Sequence, residues 1–146
     1  MVTIEEKLRV EAPIENVWDI LWKSEKPEWL QTFYPNAEIK SDWTVDGRTY
    51  FGSEDGNGLV GTISELDAPR HVIFKVLGYY RNGEEITQTK EVMEWSGNQV
   101  KFILDDFEGF STLQIKANVM PYQAEPLGIL AKNVLLKVKE LAERSF

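Results

Sequence analysis

Residues 127–142 read Leu127-Gly128-Ile129-Leu130-Ala131-Lys132-Asn133-Val134-Leu135-Leu136-Lys137-Val138-Lys139-Glu140-Leu141-Ala142, and the spacing of their apolar members decides the fold. Leu127, Leu130, Ala131, Val134, Val138, Leu141 and Ala142 recur at i, i+3, i+4 and i+7, the period of one helix face. About 20 residues after Pro121 therefore predict a helix of roughly 30 Å. Lys132, Lys137, Lys139 and Arg144 take its polar side and lie toward the C-terminus, where the helix dipole favours cations. Gly128 weakens the first turns by about 1 kcal/mol relative to Ala. A helix of that length can lie across one twisted sheet and cover its apolar face.

The residues upstream supply the sheet. From Asn36 to about Val119 the period is two, punctuated by Asp46-Gly47, Asp55-Gly56-Asn57-Gly58, Asp67-Ala68-Pro69, Asn82-Gly83, Gly97-Asn98 and Glu108-Gly109. Turn signals at that spacing predict an antiparallel meander of about seven strands. Asn82-Gly83 is the clearest hairpin, because both central residues of a type I′ turn need positive φ. Before the meander, Val2, Ile4, Leu8 and Val10 alternate into Glu11-Ala12-Pro13. A helix follows with Pro13 in its first turn and Ile14, Val17, Trp18 and Leu21 on one stripe. Lys23-Ser24-Glu25-Lys26-Pro27 breaks it, and a second short helical piece carries Trp29, Leu30 and Phe33. The expectation is an α+β arrangement in which a curved antiparallel sheet grips the long terminal helix and the two short N-terminal helices close one end.

Composition narrows the function classes. The chain has 146 residues, 16 Lys plus Arg and 24 Asp plus Glu, a formal charge of −8. A length of this order fits one core, so residues 1–146 are expected to form a single domain. The acidic balance argues against nucleic acid, which needs clustered Lys and Arg, and against anionic membrane surfaces. No apolar run approaches the roughly 20 residues of a membrane span, so no membrane insertion is expected. Cysteine is absent and histidine occurs once, which removes thiolate chemistry and two-His metal sites. No metal or cofactor is expected, and the default compartment is cytoplasmic.

Few constellations carry chemistry. Gly56-Asn57-Gly58-Leu59-Val60-Gly61 matches G-x-G-x-x-G, but the fingerprint holds pyrophosphate only where a helix begins after the glycines. Here alternating β-branched residues follow, so the match reads as a turn entering a strand. His71 opens a strand without a nucleophile elbow anywhere in the chain and reads as a surface or packing residue. Asp105-Asp106-Phe107-Glu108-Gly109 lacks the distal Glu of a calcium loop and reads as a solvated hairpin, as do Glu54-Asp55 and Glu84-Glu85. No catalytic residue is assigned.

The aromatic set says more. A curved sheet bends away from the helix laid into it, and the wedge between them tends to become a cavity. Phe51, Ile63, Phe74, Val76, Thr89, Glu91, Met93, Trp95, Phe102 and Leu113 align on one sheet face by alternation, with Leu127, Leu130 and Val134 opposite them on the helix. Most are core residues taken singly. Together they suit a flat apolar guest. Glu91 is the charged member: facing the cavity it becomes a handle or general acid/base with a raised pKa, and beyond a bulge it faces water.

Val10-Glu11-Ala12-Pro13-Ile14-Glu15-Asn16-Val17-Trp18-Asp19 resembles the strand-to-helix opening of the START-like, or SRPBCC, superfamily. The stretches from Trp29-Leu30 to Ser41-Asp42-Trp43 and from Gly61-Thr62-Ile63-Ser64 to Ala68-Pro69-Arg70 resemble its branch named after the activator of heat-shock-protein ATPase (AHSA-like). The resemblance spans essentially the whole chain and implies the helix-grip fold. Members bind lipids, sterols or polyketide-like aromatics, and a minority are cyclases, dehydratases or ring-oxygenase domains. The leading expectation is thus a non-catalytic carrier or sensor of a small hydrophobic or aromatic ligand, with Tyr50, Thr89 and Glu91 as its polar groups. A cyclase- or hydratase-like enzyme using Glu91 is the alternative. A third is an interaction module, a homodimer or a chaperone partner, presenting aromatics near Trp22, Tyr79 and Tyr80.

Overall fold

The first strand, β1 (Val2–Val10), runs straight into α1 (Ile14–Trp22) in the computed structural model, which describes residues 1–53 and 55–146. Pro13 is the cap between them, with φ −70°, a value its ring enforces and the helix start accepts. α2 (Glu28–Phe33) follows behind Pro27. The meander then gives β2 (Ala37–Ser41), β3 (Arg48–Ser53), β4 (Gly58–Asp67), β5 (His71–Arg81) and β6 (Glu84–Ile86). A short helix, α3 (Lys90–Trp95), precedes β7 (Gln99–Phe107) and β8 (Phe110–Val119). A 3-10 turn (Pro121–Gln123) leads into the terminal helix, α4 (Ala124–Ser145).

The strands form one antiparallel sheet ordered β1-β8-β7-β5-β4-β3-β2, with β6 paired to β5. Seven strands on that path and a short eighth beside it agree with the expected meander, and the N-terminal strand joins the last one at an edge. Asn82 and Gly83 have φ of 51° and 79°, as the type I′ turn between β5 and β6 requires. Gly56 and Asn57 lie in the turn and Gly58 to Gly61 in β4 itself, so no helix follows the glycines. Glu54, half of one expected acidic turn, lies outside the described residues.

α4 buries Ala131, Val134, Leu135, Val138, Leu141 and Ala142, each Leu or Val side chain being worth about 1.5–3 kcal/mol. It packs chiefly on β1, with β8, α1 and α2 also against it. Asn16 Nδ2 on α1 donates to the Ala142 carbonyl at 2.6 Å, satisfying an acceptor that the helix end leaves open.

One segment departs from the period-two reading. Thr89, Glu91, Met93 and Trp95 were expected on a strand, and the chain there is α3. Thr89 is its cap, its hydroxyl accepting from the Val92 N–H at 3.2 Å. After the Ser96 cap, Gly97 at φ 93° takes the third position of a turn closed by the Asn98 N–H on the Trp95 carbonyl at 3.2 Å, a place that needs positive φ. Val92 and Trp95, three apart, form the face turned to β5: Val92 is buried, and Trp95 meets the Tyr79 ring edge-on at 5.1 Å.

Candidate functional site

Alternation along β3, β4, β5 and β7 places Phe51, Ile63, Phe74 and Phe102 on the concave face. The register pairs Phe74 with Ile63 and Val100, and Phe102 with Val72 and Ile115. Phe74 lies 5.2 Å from Phe51 and 6.3 Å from Phe102, both edge-on. Two indoles from outside the sheet complete the cluster. Trp22, the last residue of α1, stands 5.4 Å from Phe74 and 4.9 Å from Phe102. Trp43, in the β2–β3 connection, stands 5.5 Å from Trp22 and 6.2 Å from Phe74. Edge-to-face contacts of this kind add about 0.5–1.5 kcal/mol each beyond their buried area.

Trp43 is held there by its turn. Its N–H donates to Ser41 Oγ at 3.0 Å, and buried Thr49 donates to the same oxygen at 2.9 Å. Asp42 Oδ1 accepts from the Thr44 hydroxyl at 2.9 Å. The resulting backbone puts Trp43 at φ 55°, an uncommon state for a bulky residue.

Two concavities stand out among the described residues, and neither is lined by α4. One, of about 250 Å³, is walled by Trp18, Trp22 and Trp43, with Asp19 and Lys23 at its rim. The other, of about 310 Å³, lies among Asn57, Gly58, Leu59, Tyr79, Tyr80 and Arg81. These two lie beside the aromatic cluster and at the sheet end, whereas the sequence pointed to the wedge between helix and sheet. Trp22 and Trp43 pack together on Phe74 next to the first of them.

One polar atom in the cluster is unmatched. Trp22 is 6% exposed, and its buried Nε1 has no hydrogen-bond partner. A buried donor in that state costs about 1–3 kcal/mol. Trp29, 6.0 Å away, is in the opposite condition, donating from Nε1 to the Leu21 carbonyl at 3.0 Å. Asn98 Oδ1 and Thr112 Oγ1 are also buried and unmatched, but neither lines a concavity.

The expected site residues divide accordingly. Phe51, Ile63, Phe74 and Phe102 come together in or beside the cluster, and buried Leu113 and half-buried Val76 share their face. Leu127 and Leu130 are half-buried and Val134 buried on α4. Thr89, Glu91 and Met93 are exposed, Met93 at 62%, because α3 carries them to its solvent side; Trp95 packs on Tyr79 instead. Glu91 therefore has no buried position from which to act as acid or base. Tyr50 follows the opposite pleat from Phe51 and donates to Glu85 Oε2 at 2.7 Å. That bond first, and burial second, hold its phenol above the ordinary range. Trp22 and Tyr80, expected as parts of an exposed patch, are buried. His71 opens β5 and lies 3.4 Å from Glu65.

Sequence reasoning passed over Trp18, Trp22 and Trp43 as a group. Trp18 and Trp22 are four apart and extend the α1 stripe, a signal in plain view. Trp43 sits in a turn, where no period exists to find it. Among the described residues no group of three His, Asp or Glu is placed to hold a metal, and no helix is long and apolar enough to cross a membrane.

The model of the family described as Activator of Hsp90 ATPase homolog 1-like protein matches residues 11–127. The chain belongs to this family. Its helix-grip architecture is that of the family's START-like, or SRPBCC, superfamily, as the opening and the Pro-Arg turn led one to expect. Its fold is similar to the solution structure of the Aha1 dimer from Colwellia psychrerythraea, with TM-score 0.69 and 18% identity over 98% of this chain and 97% of that one. It is similar to protein MLL2253 from Mesorhizobium loti, with TM-score 0.71 and 14% identity over 99% of both chains. For CalU16 from Micromonospora echinospora the values are 0.64 and 16%, over 96% of this chain and 65% of that one. At such identities the likeness establishes the fold. No protein of curated function matches the sequence.

Proposed function

We propose that the protein binds a small, flat aromatic molecule at the tryptophan-walled concavity between α1 and the β2–β3 turn. The observation that carries this reading is the wall itself: Trp18, Trp22 and Trp43 around about 250 Å³, backed by Phe74 and Phe102. That volume falls just below the roughly 300–1,000 Å³ of drug-sized sites, which favours one or two fused rings. Indole faces and edges suit such rings. The family's fold, which includes polyketide cyclase-like members, supports a ligand-binding domain. The enzyme reading has lost the carboxylate on which it was built, since Glu91 is exposed. A second copy of the chain as partner gains support from the Colwellia protein's being a dimer.

The test is a titration of intrinsic tryptophan fluorescence with 1-indanone, repeated on Trp18→Ala. Trp18 is half-buried at the wall and packs against the edge of the core, so the circular-dichroism spectrum of the variant is compared with the wild type to check that the fold is kept. Removing roughly 60 Å² of apolar contact at about 25 cal/mol per Å² corresponds to about tenfold in affinity. Saturable binding that Trp18→Ala weakens by that factor supports the site. Binding indifferent to Trp18, or none, overturns it.

A further inference from the structure

We infer that the guest carries a neutral oxygen acceptor, a ring ketone or its like, which takes the hydrogen bond that Trp22 Nε1 lacks. This inference rests on the site reading above and names the chemistry of its occupant. Trp22 is 6% exposed, lines the concavity, and has a buried N–H with no acceptor. Its ring neighbours are Trp29, Trp43, Phe74 and Phe102, which offer it faces and edges but no carbonyl. Buried donors are paired as a rule, and an exception calls for a reason. Trp29 in the same cluster found the Leu21 carbonyl, so the fold is able to satisfy an indole here and leaves Trp22 open.

The rim argues for a neutral group. Asp19 and Lys23 stand one helical turn apart at the mouth, and their opposite charges leave little net field for a carboxylate or an ammonium. A carbonyl needs none. The neighbouring wall, Trp43, belongs to a turn and its backbone sits at φ 55°. Strained residues of this kind gather at ligand clamps, and the inference requires the Trp43 ring to turn aside for the oxygen to reach the buried Nε1.

The experiment compares 1-indanone with indane, which have the same rings with and without the carbonyl. The chain has five tryptophans, so its indole N–H signals are few enough to follow by nitrogen-15 NMR. The ketone is expected to bind about tenfold more tightly and to move the assigned Trp22 Nε1 proton downfield, while indane leaves that proton near its free position. Trp22→Phe is expected to bring the two affinities together while retaining indane binding. Equal affinities in the wild type, or a downfield shift at another indole, overturn this inference and leave the site standing. Failure of both molecules to bind overturns the site and the inference together. Should Trp22→Phe not fold, the wild-type pair and the Trp22 resonance decide the matter alone.

Discussion

Trp43 occupies left-handed backbone space at φ 55°, where an L residue other than Gly is disfavoured by about 1–2 kcal/mol. The Ser41 and Thr49 hydroxyls and the Asp42–Thr44 bond hold it there, and its ring then reaches Trp22 and Phe74. Position 43 therefore combines a favourable side chain with an unfavourable backbone, and substitution can separate the two. Trp43→Ala removes the ring and keeps the backbone problem; Trp43→Gly removes both. Gly is ordinarily the less stable of that pair by about 0.5–1 kcal/mol in regular structure. At this position the order is expected to invert, with Trp43→Gly more stable than Trp43→Ala by about 1 kcal/mol in urea unfolding. The usual order would mean that the turn takes its shape from the ring and would relax without it.

At the scale of elements, α3 shows what a short segment conceals. Thr89, Glu91, Met93 and Trp95 satisfy a period of two, while Val92 and Trp95 satisfy a helix, and six residues cannot separate the two by apolar spacing. The information lay in the punctuation, a Thr cap at one end and Gly97 at the other. Thr89→Ala is expected to remove about 1 kcal/mol from this helix. Amide exchange at Val92 and Met93 should then quicken about fivefold, with the urea midpoint of the whole domain nearly unmoved. Unchanged exchange would show that Val92 and Trp95, docked on β5, hold the helix without its cap. Longer elements were legible because their patterns repeat: the stripe of α4, the alternation of β4, β5, β7 and β8, the Asn82-Gly83 turn. The site was half legible. Phe51, Phe74 and Phe102 follow from alternation, whereas Trp22 and Trp43 meet them only through tertiary packing.

Across the whole molecule, α4 is gripped at one end more firmly than at the other. Near its C-terminus, Lys139 Nζ donates to the Arg9 carbonyl at 3.1 Å, Asn16 to the Ala142 carbonyl at 2.6 Å, and the Glu11 N–H to Glu143 Oε2 at 2.7 Å. Toward the N-terminus, Leu127 and Leu130 are half-buried, and Ile129 is 56% exposed. The Glu143 carboxyl is held below its ordinary range, first by the Lys139 ammonium and then by the Glu11 N–H. A carboxylate whose pKa is depressed in the folded state contributes stability at pH values above its unfolded pKa. That contribution is lost as pH falls through the folded value. Acid should therefore loosen the clasp between α4 and the end of β1. Glu143→Gln keeps the shape and removes the charge, so at pH 7 it is expected to be less stable than the wild type by about 0.5 kcal/mol, as for a partly exposed pair. Urea midpoints measured down to about pH 3 should show that gap closing, because the wild-type carboxyl becomes neutral too. A gap that stays constant over the whole range would assign the loss to packing of the amide and leave the clasp without an electrostatic part.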